Sequence, residues 1–499
     1  MPKYHSSVSR RDFMKFMGIA TAGMGGLALV APRFHDLDEL TGSLNAKNNR
    51  PWWVKEVVNP TIEIDYSMMQ RLNGHNQAQE TDIRAMYYPT QNAAASALGA
   101  QNLAAFTAAS APGYTYRSRA LVAAYKRAPL SSSWATIATN ATSVGGNNAT
   151  VNGYVANTTT PTTRGEPKWT GTPEEAALMV RAAMRIFGVS LIQYSQPDQN
   201  WRDHVCFATG EKGTTPATNR PIVFESGGIW YDTPSKLVVP AEQFTEISCS
   251  LQGSNELWRT APSPIASLAN SNTFDHSANA AVSTWNFFYY LGYQCAGGTI
   301  GQDGRYMDSG GSAAVLAGLG ETSRQKLYTL TPEYGAQGRL YSLGTDLPIA
   351  PTSPIDAGMW RFCQSCHKCA NHCPPGAISQ EKEPSYDIPS TNGLPWNFTI
   401  QGTKAFYQDT CSCDIYTTNN GGSCKLCWAN CTFTTDHAAM IHAIVRPTIS
   451  TTSIFNTFFY KMGEDFGYGN HDPENLWNMN LPTTAQDSTQ VNWGGNGYK

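Results

Sequence analysis

Charged residues are scarce in this sequence. Only 15% of the 499 residues are charged, and 35 basic against 38 acidic side chains leave a formal net charge of -3. Because no basic excess gives the surface a general attraction for phosphate, nucleic acid is not an expected partner. Gly, Thr, Asn and Ala are abundant in place of the missing charges, which predicts a loop-rich surface.

Long apolar runs are also missing. The Gly- and Ala-rich segment 16–30 falls short of the ~20 apolar residues that a membrane-spanning helix needs, and no other stretch reaches that length. Arg10 and Arg11 precede this segment, and twin arginines before a moderately apolar run are typical of a Tat signal peptide. We therefore predict a signal peptide at 1–31 and export through the Tat route. A basic start before a core helix is the alternative.

The glycine patterns of nucleotide-binding sites are missing as well. Residues 313–321 form a helix-like run that closes with Gly318 and Gly320. Neither G-x-G-x-x-G after a strand nor G-x-x-x-x-G-K-S/T is present, however. A phosphate-binding loop is therefore not indicated.

The cysteines are concentrated in two runs. Nine of the 12 lie between 363 and 431. The first run has the spacing C-x2-C-x2-C-x3-C-P, which in bacterial ferredoxins places three thiolates on one 4Fe-4S cluster and the fourth on a second cluster. This run consists of Cys363, Cys366, Cys369 and Cys373 before Pro374. The second run consists of Cys424, Cys427 and Cys431, preceded by Cys411 and Cys413.

Disulfides and zinc are the competing uses of such cysteines. An exported protein meets an oxidising compartment that favours disulfides, but tandem C-x2-C turns are suited to holding a metal. Structural zinc takes four ligands and needs neither the Cys-Pro ending nor eight or nine thiolates. Iron–sulfur clusters are therefore the preferred interpretation, because a soft-thiolate cage needs cysteines that converge in space.

Helix and strand signals predict a mixed fold upstream of the cysteines. Residues 172–175, Thr-Pro-Glu-Glu, have the cap, proline and acidic residues of a helix start, and apolar residues recur at helical spacing as far as Phe187. The uncharged polar segment 91–170 predicts surface loops or an insertion. Strands are predicted at 189–194, 221–225 and 236–239, and further helices near 240–252 and 277–291. This alternation indicates an α+β or α/β core that carries a pocket.

Several of these stretches resemble one known family. They are the twin arginines, residues 316–321, the segment from Gly338-Arg339 to Pro348, the two cysteine runs and residues 465–469. In them the sequence resembles the corrinoid-dependent respiratory reductive dehalogenases of organohalide-respiring bacteria. The resemblance implies an α+β fold with a nitroreductase-like corrinoid-binding core and a C-terminal bacterial-ferredoxin-type module with two 4Fe-4S clusters. The implied divisions are a signal peptide at 1–31, an N-terminal arm and polar insertion at 32–170, the core at 171–355, the module at 356–450 and a C-terminal extension packing on the core at 451–499.

The resemblance also implies a function. It describes an exported terminal reductase of organohalide respiration that removes halide from a small chlorinated hydrocarbon. Such an enzyme sits on the outer face of the cytoplasmic membrane beside a small hydrophobic membrane-anchor protein. It receives electrons from a quinone- or hydrogenase-linked donor, and a homodimer is compatible with this arrangement. The sequence has no D-x-H-x-x-G stretch, which agrees with a base-off cobalamin whose lower base is not replaced by histidine.

Cofactor-binding residues carry over by position. The resemblance implies that Gly338, Arg339, Thr345, Asp346 and Leu347 contact the corrinoid. It implies one cluster on Cys363, Cys366, Cys369 and Cys431. It implies a second cluster on Cys373, Cys424, Cys427 and one upstream cysteine. Cys413 is preferred to Cys411 for that position because the residues from Cys413 to Tyr416 better resemble the family's segment.

The catalytic residues match less well. Arg339 falls on an arginine of the family, but the position of a proton-donating tyrosine falls on Phe274, and residues 299–306 offer no counterpart for an expected asparagine. Three interpretations are open. The alignment slips by a few residues, or the reaction needs no protein donor, as in removal of two vicinal halides. Otherwise the donor is another residue, such as His276, Tyr289, Tyr290 or Tyr306.

Two other functions compete with dehalogenation. An epoxyqueuosine-type reductase shares the corrinoid and both clusters, but it acts on transfer RNA, which the export signal and the lack of a basic stripe disfavour. A non-catalytic iron–sulfur electron-transfer subunit would not need the long stretch 32–362 that precedes the cysteines.

Overall fold

The fold is known for most of the chain. The computed structural model describes residues 50, 53–126, 150–151, 154–155, 168–211, 219–228, 230–232, 235–297, 310–326, 328–434, 442–465 and 469–481. The predicted signal peptide, residues 299–306 with Tyr306, and residues 466–468 lie outside this part of the chain.

Short and long helices alternate with strands. The helices are α1 Thr81–Tyr87, α2 Pro89–Ala108, α3 Tyr116–Lys126, α4 Pro173–Ile186, α5 Asn255–Trp258, α6 Pro264–Leu291, α7 Gly310–Leu316, α8 Met359–Ser365, α9 Lys368–Asn371, α10 Thr410–Asn419, α11 Leu426–Ala429, α12 His442–Thr451 and α13 Asn456–Asp465, besides a π-helix at Trp201–Val205 and a 3-10 helix at Pro473–Asn478. The strands are β1 Lys55–Glu56, β2 Thr150–Val151, β3 Tyr154–Val155, β4 Leu191–Ser195, β5 Thr209–Glu211, β6 Asn219–Glu225, β7 Tyr231–Asp232, β8 Leu237–Pro240, β9 Thr245–Gln252, β10 Cys295–Gly297, β11 Glu321–Thr322, β12 Thr329–Leu330, β13 Gly338–Thr345, β14 Ile355–Asp356, β15 Ser390–Thr391 and β16 Leu394–Pro395.

A six-stranded antiparallel sheet forms the centre of the fold. Its strand order is β2-β3-β10-β13-β9-β4. The two longest strands of this sheet, β9 and β13, pair along their full length, from Gly338 opposite Gln252 to Thr345 opposite Thr245. A second sheet has the order β5-β6-β8-β7, and three two-stranded ribbons pair β1 with β14, β11 with β12, and β15 with β16.

Both faces of the central sheet are covered. Side chains alternate along a strand, so Ile247, Cys249 and Leu251 of β9 share one face, where they join an apolar cluster with residues of α4 and α6. On the other face Ser248 and Ser250 are fully buried, and α7 packs across β9 and β13. Every residue of β9 is therefore buried.

The helix predicted to start at Thr172 is confirmed. The Thr172 hydroxyl accepts a hydrogen bond from the Glu175 amide, and the Glu175 carboxylate accepts one from the Thr172 amide. This reciprocal cap satisfies two amides that the first turn leaves without helical partners. The predicted strands at 189–194, 221–225 and 236–239 correspond to β4, β6 and β8, and the helix near 277–291 is the second half of α6.

One predicted segment is wrong, and a second contains helices beside its predicted loops. Residues 240–252 form no helix, because most of them belong to β9. Their apolar residues alternate with small polar ones, a period that suits a strand with two buried faces. Segment 91–170 also contains more than loops, since α2 and α3 occupy much of it. Alanine-rich sequence has high helix propensity, and Gly99 lets α2 approach the Thr418 carbonyl of α10 where a Cβ would clash.

The cysteine runs are built into the largest apolar core. Cys363 belongs to this core together with Trp258 and Ile265 from upstream of the cysteines and Phe459 from downstream. Cys366, Cys427 and Cys431 pack against it. The region around the cysteines is therefore continuous in its packing with the segments that precede and follow it. None of the helices in the described ranges combines the length and hydropathy required to cross a bilayer.

Gly318 supplies a test of this packing. It adopts a left-handed backbone conformation with φ of +73°, and an added Cβ would clash with the Ser353 carbonyl. We expect Gly318→Ala to destabilise the protein by more than the roughly 1–2 kcal/mol of left-handed strain alone. The control is Gly393→Ala, which has φ of +78° and no atom within 4 Å of the added Cβ. Urea denaturation of both variants measures the difference, and equal losses of stability would contradict the proposed close contact.

Candidate functional site

One group of four cysteines surrounds a small cavity. Cys363, Cys366, Cys369 and Cys431 all line it. Cys363 lies in α8, Cys369 in α9, and Cys431 after α11. Leu330, Phe362 and Phe433 form its apolar walls, and polar residues complete the lining: Ser323, Arg324, Gln325, Lys368 and Thr432. Four thiols that face one cavity have the donor set that iron–sulfur clusters require.

Burial makes these thiols poor thiolates on their own. Burial is the largest cause that raises the pKa of Cys363 well above its usual value, followed by the neighbouring thiolates of Cys366 and Cys431. Burial likewise raises the pKa of Cys431 to about 11. A bound cation would reverse this preference, because metals bind cysteine as thiolate. The donor set therefore fits a cationic cluster better than four free thiols.

A second group contains Cys413 rather than Cys411. Burial, then the charges of Cys424 and Cys373, raise the pKa of Cys413 to about 12. Burial, then the charges of Cys413 and Cys424, likewise raise the pKa of Cys427. The thiols of Cys373, Cys413, Cys424 and Cys427 are therefore close neighbours.

Cys411 occupies a different environment. It is fully buried in an apolar cluster with Ile83, Tyr87 and Trp396. Residues two apart on a helix lie about 200° apart around its axis, so Cys411 and Cys413 point to different sides of α10. None of the 12 cysteines, all of which lie in the described part of the chain, forms a disulfide. The structure thus brings together both predicted sets of four cysteines.

The two groups lie side by side. Cys369 of the first group is buried in a small apolar cluster with Ala370 and Ile378, and Cys373 and Cys427 of the second group pack against it. Electrostatic influence of Cys369 on Cys427 also raises the pKa of Cys427. Electrons could therefore pass between the two groups over a short path.

Arg339 and Phe274 form the predicted pair at the end of the sheet. The Arg339 Cζ lies 3.6 Å from the centre of the Phe274 ring, a cation–π contact between β13 and α6. Burial lowers the pKa of Arg339 to about 9, so the guanidinium stays charged at neutral pH. The phenyl ring offers no proton. The residue at the expected tyrosine position is therefore next to the expected arginine.

Other predicted proton donors lie elsewhere. His276 is two residues from Phe274 on α6 and so points to a different side of the helix. Tyr290 is 55% exposed, and Tyr289 belongs to the last turn of the same helix. Tyr306 is outside the described residues.

The predicted corrinoid contacts fall at the two ends of β13. Gly338 and Arg339 begin the strand, whereas Thr345 ends it about 23 Å away at ~3.3 Å per residue. The Thr345 hydroxyl donates to the Gln294 carbonyl at 2.6 Å, and the Asp346 carboxylate accepts from the Gln294 amide at 2.6 Å. Leu347 belongs to the apolar core of the sheet. These contacts attach the end of β13 to the turn before β10.

Aromatic side chains connect the Arg339 end of the sheet to the second cysteine group. Trp428 follows Cys427, and its ring centre lies 4.3 Å from that of Trp258 and 4.3 Å from that of Tyr328. Trp258 packs closely against Gly253, where an added Cβ would lie 2.7 Å from the indole nitrogen. Gly253 directly follows Gln252, the β9 residue that pairs with Gly338 at the start of β13. The sequence did not predict a role for Trp258, Tyr328 or Trp428, although Trp428 lies inside the second cysteine run. It also gave no signal for Arg324 and Gln325, because neither residue belongs to a motif.

The chain matches known proteins along most of its length. A family model described as "Reductive dehalogenase subunit" matches residues 49–349. A chloroethene reductive dehalogenase of Dehalococcoides mccartyi is 28% identical over 95% of this chain and 97% of its own length. A trichloroethene reductive dehalogenase from another strain of that species is 29% identical over 94% and 95%.

A solved structure shares the fold. It is a reductive dehalogenase whose structure suggests a mechanism for B12-dependent dehalogenation. The match has a TM-score of 0.55 and 16% sequence identity, and it covers 86% of this chain. It covers 50% of the solved chain, so this chain spans about half the length of that relative. The matched fold is one of mixed helices and sheets.

Proposed function

This chain belongs to the reductive dehalogenase family, and from that premise we propose that it removes halide from a small chlorinated hydrocarbon. The family match over residues 49–349 and the two long curated relatives make it an enzyme of reductive dehalogenation. This assignment replaces the two competing functions, the epoxyqueuosine-type reductase and the non-catalytic electron-transfer subunit. The names of both curated relatives, chloroethene and trichloroethene reductive dehalogenase, support a small chlorinated substrate.

Two 4Fe-4S clusters are the proposed electron carriers. Cys363, Cys366, Cys369 and Cys431 are the proposed ligands of the first cluster, because they line one cavity. Cys373, Cys413, Cys424 and Cys427 are the proposed ligands of the second cluster, supported by their mutual electrostatic influence. Residues 356–450 are the proposed ferredoxin-type module with both clusters, and residues 171–355 are the proposed nitroreductase-like core.

A base-off corrinoid is the proposed catalytic cofactor near the Arg339 end of the sheet. Asn255 Nδ2 and Trp258 Nε1 are buried there without a hydrogen-bond partner among the described residues, and the amide side chains of a corrinoid could accept from both. The B12-dependent relative of the same fold supports this choice. When bound, the corrinoid would supply a low-potential, nucleophilic cobalt for carbon–halogen cleavage. Gly338 and Arg339 remain proposed contacts, and Thr345, Asp346 and Leu347 remain predictions.

The contact between Arg339 and Phe274 carries the proposed reaction. Arg339 would stabilise the departing chloride through its fixed positive charge. Phe274 would exclude water and shape the pocket, but it cannot protonate carbon. Removal of two vicinal chlorides consumes two electrons and yields an alkene and two chloride ions, with no proton required. Hydrogenolysis consumes two electrons and one proton for each chloride. Because Phe274 offers no proton beside Arg339, we propose vicinal dihaloelimination, with hydrogenolysis as the second candidate.

Localisation and partners complete the proposal. Arg10 and Arg11 support export by the Tat route, which suits a protein whose cofactors are inserted before export. We propose a peripheral position on the outer face of the cytoplasmic membrane, beside a small hydrophobic membrane-anchor protein. A quinone- or hydrogenase-linked donor would supply the electrons, and a homodimer is compatible with this arrangement.

Metal analysis of the purified protein tests the cofactor set. After anaerobic purification with corrinoid supplied, we expect about one cobalt and about eight irons per chain, as two 4Fe-4S clusters require. Elemental analysis and the visible spectrum of the corrinoid give the two contents. Iron without cobalt would contradict the catalytic cofactor while leaving the clusters in place.

The ligand choice between Cys411 and Cys413 has its own test. We expect Cys413→Ser to disturb the second cluster and to lower iron content from about eight toward about four per chain. Cys411→Ser is the matched control, since this thiol lies in an apolar cluster away from the other cysteines, and it should keep its iron. Loss of iron in the Cys411 variant alone would reverse the assignment.

The reaction type is tested by comparing substrates. The enzyme is expected to convert 1,2-dichloroalkanes to alkenes at least tenfold faster than it reduces chloroethenes. Phe274→Tyr adds a phenol beside Arg339, and because general acids contribute roughly 10²–10⁴-fold, hydrogenolysis should rise by ten-fold or more. Phe287→Tyr on the same helix is the control, because its ring contacts Phe187 and Phe288 instead. Unimpaired hydrogenolysis without dihaloelimination in the unaltered enzyme would sink the proposal.

A further inference from the structure

Arg324 is buried beneath the first cysteine run. Its exposed fraction is 0%, and it lines the cavity of the first cysteine group. The guanidinium also lies 3.7 Å from the centre of the Phe406 ring. Its nitrogens donate to the carbonyl oxygens of Cys363, Gln364, Cys366, Ser379 and Glu381 at 2.9–3.0 Å, and Nη2 also lies 3.4 Å from His367 Nε2.

These contacts serve carbonyls that a helix end leaves without partners. Cys363 and Gln364 belong to the last turn of α8, and Cys366 follows it. The final carbonyls of a helix have no amide within the helix to accept from. The planar fork of arginine can satisfy several carbonyls at once, whereas a lysine ammonium has three donors on a flexible stem. Arg324 therefore holds the backbone that carries two of the four cysteines of the first group, Cys363 and Cys366.

Neighbours of Arg324 hold the same region from other sides. The Glu321 carboxylate accepts from the amides of Ala357 and Met359 at 3.0 and 2.9 Å, next to the start of α8. The Gln325 side chain donates to the Cys427 carbonyl at 3.2 Å. Residues 321–325, which we call the clamp segment, thus fix both ends of α8 and the backbone of the second cysteine run.

Charge is distributed unequally between the two cysteine groups. Lys368, 2% exposed, lines the first cavity together with Arg324. Beside the second group, the cation Lys425 is only partly buried, and Asp414, which follows the ligand candidate Cys413, is paired with Arg84. Buried positive charge and hydrogen bonds near a cluster favour its reduced, more negative state. The first group has both features, since its Cys366 sulfur also lies 3.8 Å from the Thr432 hydroxyl.

We propose that Arg324 is a positioning residue for the first cluster and that its buried charge makes this cluster the one with the higher reduction potential. The proposal rests on the proposed function, because it requires both clusters to be present. The proposal also ranks the two clusters by reduction potential. Electrons collect on the first cluster, and the clamp segment holds the backbone of its cysteine ligands.

Redox titration of the holoenzyme, followed by electron paramagnetic resonance, tests the order. In the unaltered enzyme the two clusters should be reduced in separate steps. Arg324→Gln should shift the reduction equilibrium of the higher-potential cluster at least tenfold toward the oxidised form, which is about 59 mV for a one-electron couple. Asp414→Asn should shift the other cluster toward the reduced form. If both substitutions move the same signal, or if Arg324→Gln moves neither, the proposal is overturned.

Two further variants separate charge from folding. Arg361→Gln removes a positive charge from α8, the helix whose last turn Arg324 contacts. This side chain is 44% exposed and pairs with Asp356, so the reduction equilibrium of each cluster should change by less than twofold. Arg324→Lys keeps the charge and should keep the potential while lowering iron occupancy of the first cluster. If Arg324→Lys shifts the reduction potential as much as Arg324→Gln does, the charge of Arg324 does not set the potential. Unaltered protein with no iron would instead defeat the proposed function.

Discussion

The convergence of eight cysteine thiols in two adjacent groups is the constraint on which the rest of the structure depends. Burial raises the pKa of Cys363 and Cys427, with help from neighbouring thiolates, so neither group suits free thiolates. The surroundings are arranged to compensate. Arg324 places a buried charge beside the first group, and the aromatic side chains of Trp428 and Trp258 fill the space between the second group and the sheet.

The central sheet fixes the position of the proposed catalytic residues. Full-length pairing of β9 with β13 determines which side chains of β13 face which helix. Arg339 meets α6 at Phe274, while Thr345 and Asp346 are occupied in anchoring the far end of the strand. One strand therefore has a proposed catalytic end and a structural end, and the proposed catalytic end is the one near the second cysteine group.

Local signals in the sequence predicted what depends on neighbours in the chain. The cap at Thr172 identified α4, and cysteine spacing identified the two cysteine runs. The division of these runs into two groups of four came from the resemblance to the family, because Cys431 is distant in sequence from the other members of its group. Residues 240–252 were misassigned although apolar and polar residues alternate along most of β9, a strand period that the prediction of a helix overlooked. Arg324 and Trp258 gave no signal, since their roles arise from contacts with residues distant in the sequence.

The register of β13 restricts how such a site can diversify. A single inserted or deleted residue in this strand would turn Arg339 to the opposite face of the sheet and break the match with β9. A side chain on α6 can be exchanged without altering any pairing, and position 274 lies on that helix. New substrate ranges should therefore arise by substitution along α6, while the strand that carries the arginine stays fixed in length.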